Sequence, residues 1–277
     1  MGRLFSFAGD ILKSFEEFLV VDKQLADLTV KAHLSHISRF LGKVSGDPRV
    51  LSREDVRTHL RWLKDTKPGV YKNRLSALKV FYRDFLGRPE VVESFRFPAK
   101  AQTIIKVPAT EDLRAFYGDL EELLARAMFL LYATSGLRRN ELFRLKRKNI
   151  DLQNRMIIPE DNGSRTKRTY VTFYNEEAAK LLEQIFPEDP EARIFKVKEG
   201  YFRNRTKKFR EKTGINITPQ LLREWFCSEM GRLGVPDRYV DAFCGRVPAS
   251  VLAKHYTDYS PEKLQEIYGK ADLTVFA

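Results

Sequence analysis

With 277 residues the chain is long enough for two domains or one large one, and a hydrophobic content of 43% supplies an ordinary apolar core, so the chain need not be disordered. Its 49 lysines and arginines outnumber 37 acids, for a net charge of +12 and a pI near 9.6. That excess favours a polyanionic partner, with nucleic acid first and an acidic membrane surface second. Two cysteines, Cys227 and Cys244, exclude a disulfide framework, and the scattered histidines have no Cys or carboxylate cluster to complete a metal site. The most apolar run, Ala127 to Ala133, is too short to span a bilayer, and the start of the chain lacks a signal-peptide pattern. The expected setting is cytoplasmic and nucleoid-associated, with no membrane partner.

The first hundred residues read as a small bundle of at least four helices. Val30, Leu34, Ile37 and Leu41 recur at helical spacing. Ser52 is a predicted N-cap with Asp55 three residues on, followed by the stripe Val56, Leu60 and Leu63. After Pro68-Gly69 the period resumes at Leu75, Leu78, Tyr82 and Phe85, interleaved with Lys72, Arg74, Lys79 and Arg83. Those four cations are candidate contacts to DNA phosphates, against the plainer reading of a solvated face. We expect a helical domain over 1–96 and an extended basic linker over 97–109, with Lys100 and Lys106 as further candidate contacts to phosphates.

From residue 110 the pattern changes. Thr110 is expected to cap a short helix, Glu121 to Ala133 to form an apolar one, and Leu137 to Leu145 a third after Gly136. Arg155 to Pro159 and Lys167 to Phe173 predict a β-hairpin around Asp161-Asn-Gly-Ser164. Helices are expected at Glu176 to Ile185 and at Gly200 to Lys212, the latter offering Arg203, Arg205, Lys207 and Lys208 to DNA. Thr218-Pro219 opens another, running to about Met230, and two more span Pro236 to Phe243 and Pro248 to Tyr256. The expected fold is mostly α with a small β-hairpin, with a second domain over 110–261 and a tail over 262–277. The apolar residues of the tail suit equally a fold back onto its own domain and docking on a neighbouring protomer.

Four short segments in the second half then stand out. Ala133-Thr-Ser-Gly-Leu-Arg-Arg-Asn-Glu-Leu-Phe-Arg-Leu145, with Asn149-Ile-Asp151 behind it, resembles the first conserved box of the tyrosine recombinases, its arginine falling on Arg138 and its glutamate on Glu141. Thr218-Pro-Gln-Leu-Leu-Arg-Glu-Trp-Phe226 resembles the second box, with Arg223 in the arginine position and Gln220 where the family has histidine. Cys244-Gly-Arg246 resembles the Leu-Gly-His/Trp element, with Arg246 replacing the His or Trp. Tyr256-Thr-Asp-Tyr-Ser260 resembles the run that holds the nucleophile, and the hairpin is similar to the one carrying the family's lysine, here Lys167 with Arg165 and Arg168 as neighbours. The first half resembles the family's helical core-binding domain in helix pattern and in Asn73-Arg74-Leu75. Arginine near the tyrosine is most similar to integrases of archaeal viruses and plasmids.

The resemblance implies a site-specific recombinase, most like an integrase of a mobile element, that works through a 3′-phosphotyrosyl intermediate. A chromosome-dimer resolvase of the same family, or a DNA-binding protein with impaired catalysis, are its alternatives. It implies a homotetramer assembled on DNA and no metal, nucleotide or other cofactor. The chemistry suits the residues. Two guanidiniums can each grip two phosphate oxygens, so Arg138 and Arg223 form a clamp. Nearby cations, Arg246 among them, favour the phenolate of Tyr256, whose free pKa is about 10. An ammonium can release a proton, so Lys167 is the candidate general acid. Gln220 can donate a hydrogen bond but cannot shuttle protons. Tyr259 and Tyr268 are the local rivals of Tyr256.

Overall fold

The computed structural model describes residues 2–44, 46–99, 106–160, 171–246 and 257–276. The chain divides into two compact units, Met1–Thr103 and Ile104–Ala277, each with its own apolar core.

The first unit is built from α1 (Gly2–Val21), α2 (Asp27–Leu41), α3 (Arg53–Thr66) and α4 (Pro68–Lys79), which runs on into a π-helical turn at Val80–Phe85. The helical spacing locates the buried faces: Val30, Ile37 and Phe40 of α2 meet Val56, Leu60 and Leu63 of α3 and Leu75, Leu78 and Tyr82 behind them. Leu34, Leu41 and Phe85 pack at the edge of that core. Ser52 caps α3 as expected, its Oγ accepting from Asp55 N at 3.3 Å while Asp55 Oδ2 accepts from Ser52 N at 2.7 Å.

Arg74 departs from expectation. It falls on the row of Tyr71, Leu78 and Phe81, and the structure buries it, so it does not share the exposed face of Lys72. Its Nη1 lies 3.2 Å from His59 Nε2. Burial, aided by Arg74 and Lys43, holds the His59 imidazole down at about 4, against an ordinary value of 6.5. As pH falls from 6.5 towards 4, the unfolded chain takes up a proton that the folded one refuses. Stability present above pH 6.5 is therefore lost across that window, by about 3 kcal/mol. His59→Gln keeps an acceptor for Arg74 without titrating. Native-state hydrogen exchange of α2 to α4 is expected to lose protection between pH 6.5 and 4 more steeply in the parent chain than in H59Q, and parallel profiles would reject the assignment.

The other cations of this stretch are less available than the sequence implies. Lys79 Nζ sits 5.9 Å above the Phe97 ring and Arg83 Nε donates to Asp84 Oδ1 at 2.6 Å, whereas Lys72 is exposed. Lys100 lies outside the described residues, and Lys106 is exposed.

The second unit begins with α5 (Thr110–Asp119), α6 (Leu123–Ser135) and α7 (Arg139–Arg144). Thr110 is the first residue of its helix rather than the cap; Asp112 Oδ2 instead accepts from the N–H of Ala109, the residue in the capping position, at 3.0 Å. A three-stranded antiparallel sheet follows, in the order β1 (Ile150–Asp151), β2 (Met156–Ile157), β3 (Thr172–Phe173), with Ile157 facing Ile150 and Thr172. The expected hairpin is present at its base, and β1 adds a third strand that the hairpin pattern did not include. Its tip, including Arg165, Lys167 and Arg168, lies outside the described residues.

Then come α8 (Glu176–Ile185), α9 (Tyr201–Thr213), α10 (Pro219–Arg232), α11 (Asp237–Phe243) and α12 (Pro261–Ala271). The helix expected over Pro248 to Tyr256 lies outside the described residues. The architecture is mostly helical with a small sheet, as the sequence implies. Residues 261–276 pack on their own unit. Leu264, Tyr268, Leu273 and Val275 enter its core, Asn175 Nδ2 donates to Leu273 O at 3.1 Å, and Arg114 Nε donates to Val275 O at 2.8 Å. No helix among the described residues is long and apolar enough to cross a membrane.

Candidate active site

The site is organised by the C-terminal end of α6. The last carbonyls of a helix have no partner within it and must be satisfied from elsewhere. Here three consecutive carbonyls are met by side chains from three different elements. Tyr268 of α12 donates its hydroxyl to Thr134 O at 2.7 Å, Thr172 of β3 donates Oγ1 to Ser135 O at 2.6 Å, and Arg223 of α10 donates Nη1 to Gly136 O. Arg223 is thus seated at the partly negative end of the α6 dipole, which favours a cation. Its Nη2 donates to Cys244 O at 2.5 Å.

Gly136 takes a left-handed conformation (φ 64°), which ends α6 and turns the chain towards Arg138. Leu137 and Arg138 are therefore not helical, and α7 starts two residues later than the sequence suggested. Arg138 is held at both ends. Its N–H and Nη1 donate to the two oxygens of Glu141 at 2.8 and 2.7 Å, and its Nη2 donates to Gly245 O at 2.9 Å. The adjacent carbonyls of Cys244 and Gly245 thus receive Arg223 and Arg138 respectively, which brings the two guanidiniums to one turn. Arg223 is buried, and that burial, with Arg138 beside it, depresses its pKa from the ordinary arginine value.

Arg246, the next residue of the turn, is exposed and donates Nη1 to Asp241 Oδ1 at 3.0 Å, while its Nη2 lies 3.5 Å from Cys227 Sγ. Burial works against its charge, but Cys227 and Asp241 outweigh it and raise the pKa. The sequence reading did not anticipate the sulfur: Cys227 and Cys244 approach to 3.4 Å beneath these arginines. The only signal was their position, one turn after Arg223 and two residues before Arg246.

Gln220 is exposed, and its Nε2 donates to Glu224 Oε1 at 2.5 Å, one turn along α10. It shares the helix of Arg223 but not its burial. Lys167 and Tyr256 lie outside the described residues. The rivals of Tyr256 can be placed. Tyr268 is buried, its hydroxyl is committed to Thr134 O, and burial raises its pKa. The Tyr259 hydroxyl is buried without a hydrogen-bond partner among the described residues, its ring packed 6.1 Å from that of Tyr239.

On α9, Arg203 and Lys208 are exposed. Lys207 pairs with Glu211 at 3.5 Å, and Arg205 is half-buried between Glu122 and the Tyr201 ring, 3.5 Å from its centroid. Arg205 is thereby a structural tie between α9 and the start of α6 rather than a free surface cation. Among the described residues no group of three or more His, Cys, Asp or Glu is arranged to hold a metal ion.

An arginine pair held by one turn, with a third arginine beside it, has the charge and the forked donors to grip the oxygens of a phosphate. Residues 101–263 match the phage integrase family, and residues 11–90 match its N-terminal SAM-like domain. The chain belongs to the phage integrase family. The tyrosine recombinase XerA of Thermococcus onnurineus (strain NA1) is 24% identical over 280 residues, covering 95% of this chain and 96% of its own length. XerA of Saccharolobus solfataricus is 26% identical over 82% of this chain and 81% of its own length. A solved structure of a lambda integrase dimer bound to a COC′ core site has the same fold, with a TM-score of 0.69 at 15% identity over 91% of this chain and 96% of that one. This phage-integrase chain is a tyrosine recombinase, an enzyme that breaks and rejoins DNA in site-specific recombination.

Proposed function

We propose that Arg138 and Arg223 bind the non-bridging oxygens of the scissile phosphate and that Tyr256 attacks its phosphorus. The Tyr256 oxygen forms a 3′-phosphotyrosyl bond as the bond to the 5′-oxygen breaks. Lys167 gives that oxygen its proton, and the reverse reaction with a new 5′-hydroxyl rejoins the strand. The phosphotyrosyl bond conserves the energy of the phosphodiester, so rejoining draws on no ATP and no metal. Arg246 adds positive charge beside the clamp, and Gln220 supplies a hydrogen bond where the family's histidine would stand. The observation that carries the reading is the seating of Arg138 and Arg223 on adjacent carbonyls of the Cys244–Gly245 turn, although Arg138 and Gly245 lie 107 residues apart in sequence.

Each domain, 1–96 and 110–261, contributes contacts to DNA, and the linker 97–109 joins them. Lys72, Lys106, Arg203 and Lys208 are exposed and suit backbone contact. The assembled form is a homotetramer on DNA; a lambda integrase tetramer bound to a Holliday junction, with a TM-score of 0.70, supports this. The protein acts in the cytoplasm, on the nucleoid, integrating or excising a mobile element.

The test is covalent capture. The chain is incubated with a nicked duplex carrying an attachment site of the encoding element, and the adduct is isolated under denaturing conditions and mapped. The expected result is a nucleotide on the peptide containing Tyr256. An adduct on Tyr259 or Tyr268 would overturn the choice of nucleophile. Capture only with a chromosomal site would replace the integrase reading with that of a dimer resolvase.

A further inference from the structure

The Cys227 and Cys244 sulfurs are not used in the proposed chemistry, yet they lie 3.4 Å apart in contact with the arginine turn. Cys227 is partly accessible on α10, and Cys244 is buried at the end of α11. Arg246 Nη2 reaches Cys227 Sγ at 3.5 Å. A partly exposed thiol beside fixed cations is the environment in which cysteine becomes nucleophilic, whereas a purely structural cysteine is enclosed by apolar neighbours. The second thiol stands within van der Waals contact, where it can intercept an oxidised sulfur before further oxidation.

We propose that Cys227 and Cys244 form a peroxide-modified dithiol site in which Cys227 is oxidised and Cys244 resolves the product to a Cys227–Cys244 disulfide. In the first step the Cys227 thiolate attacks hydrogen peroxide; an S–O bond forms, the O–O bond breaks and hydroxide leaves. In the second, the Cys244 sulfur attacks the sulfenic sulfur; the S–S bond forms, the S–O bond breaks, and the departing oxygen takes the Cys244 proton as water. Two thiols lose two electrons, and one peroxide becomes two waters. The order of attack follows from the electrostatics. The hydrogen bond from Cys244, with Arg246 and Arg223 adding to it, pulls the Cys227 thiol down against its burial, while the same contact and burial push Cys244 up. The product ties α10 to the turn whose carbonyls hold Arg138 and Arg223, and it replaces a sulfur able to carry negative charge beside Arg246 with a neutral bridge.

The test uses the full chain, reduced and then freed of reductant. It is treated with hydrogen peroxide under native conditions, blocked with N-ethylmaleimide and digested without reduction. Mass spectrometry is expected to show the peptides bearing residues 227 and 244 joined within one chain, two hydrogens lighter than their sum, and separated again by dithiothreitol. Cys244→Ala is expected to accumulate a Cys227 sulfenic acid that dimedone traps. Two blocked thiols after peroxide would overturn the proposal, as would a Cys227 sulfinic acid without a cross-link. The parent chain carries the decisive measurement, so a poorly folded variant does not obscure it. The readout needs neither DNA nor cleavage, so its failure is distinct from a failure of the recombinase mechanism.

Discussion

Arg223→Lys is expected to slow single-turnover cleavage of a nicked duplex by about 10²–10³-fold, the usual cost of removing one preorganised donor from a developing oxyanion. The substitution keeps the charge and removes the fork. In the parent chain one nitrogen donates to Gly136 O and another to Cys244 O, 21 residues away along the chain, so the planar group is oriented before any phosphate arrives. A lysine ammonium is a flexible point donor that cannot occupy both carbonyls at their present separation and still face a ligand. Arg223→Ala is expected to lose cleavage more completely and to destabilise the second unit by about 2–4 kcal/mol, because two buried carbonyls lose their donor while relief of a desolvated charge offsets part of the cost. Urea denaturation followed alongside cleavage separates the two effects. An R223K protein that cleaves within about threefold of the parent, against the scale expected for a lost oxyanion donor, would remove Arg223 from the phosphate clamp.

The period of the apolar residues was enough to place the buried faces of α2 to α4, and the Ser52–Asp55 pair to place the start of α3, because both depend on neighbours within two turns. Arg74 and Arg205 show the limit of that reasoning. A cation interleaved with a stripe looks exposed in sequence. Whether it faces inward depends on a partner such as His59 or Glu122, and the Glu122 that holds Arg205 is 83 residues away. The same holds for the site. The arginines were legible as a set through their motifs. The carbonyls that hold them were not, because a carbonyl carries no residue identity and the contacts join segments 87 and 107 residues apart. The start of α7 was missed for a related reason. The apolar pattern continues through Leu137, but Gly136 turns the backbone and Glu141 takes the Arg138 N–H. Thr172 reads as an ordinary strand residue, and Tyr268 as a tail residue and a rival of Tyr256. Their hydroxyls matter only because the end of α6 leaves carbonyls without partners.

Those contacts constrain Gly136 through both its conformation and the space around it. Gly136→Ala is expected to destabilise the second unit by about 2–5 kcal/mol and to impair cleavage in the fraction that remains folded. Two costs add. A side chain at φ 64° pays about 1–2 kcal/mol that glycine does not. The new Cβ would also stand 2.7 Å from Phe226 Cδ1 and Cε1 and 3.0 Å from Cys244 Sγ. Phe226 and Cys244 are both fully buried, so neither can withdraw freely, and overpacking of this kind costs about 1–3 kcal/mol. The clash bears on the site because Gly136 O and Cys244 O are the two acceptors of Arg223. Pushing Cys244 away from residue 136 separates the carbonyls that orient the guanidinium. The two costs can be told apart in the double variant Gly136→Ala with Phe226→Leu. The smaller side chain relieves the contact and leaves the backbone strain, so the double variant is expected to be more stable than the sum of the two single losses by about 1–2 kcal/mol. Strict additivity in urea denaturation would mean that Phe226 does not limit the space at residue 136. A G136A chain as stable as the parent would mean that the left-handed turn after α6 is not the one that carries Arg138 to the Cys244–Gly245 turn.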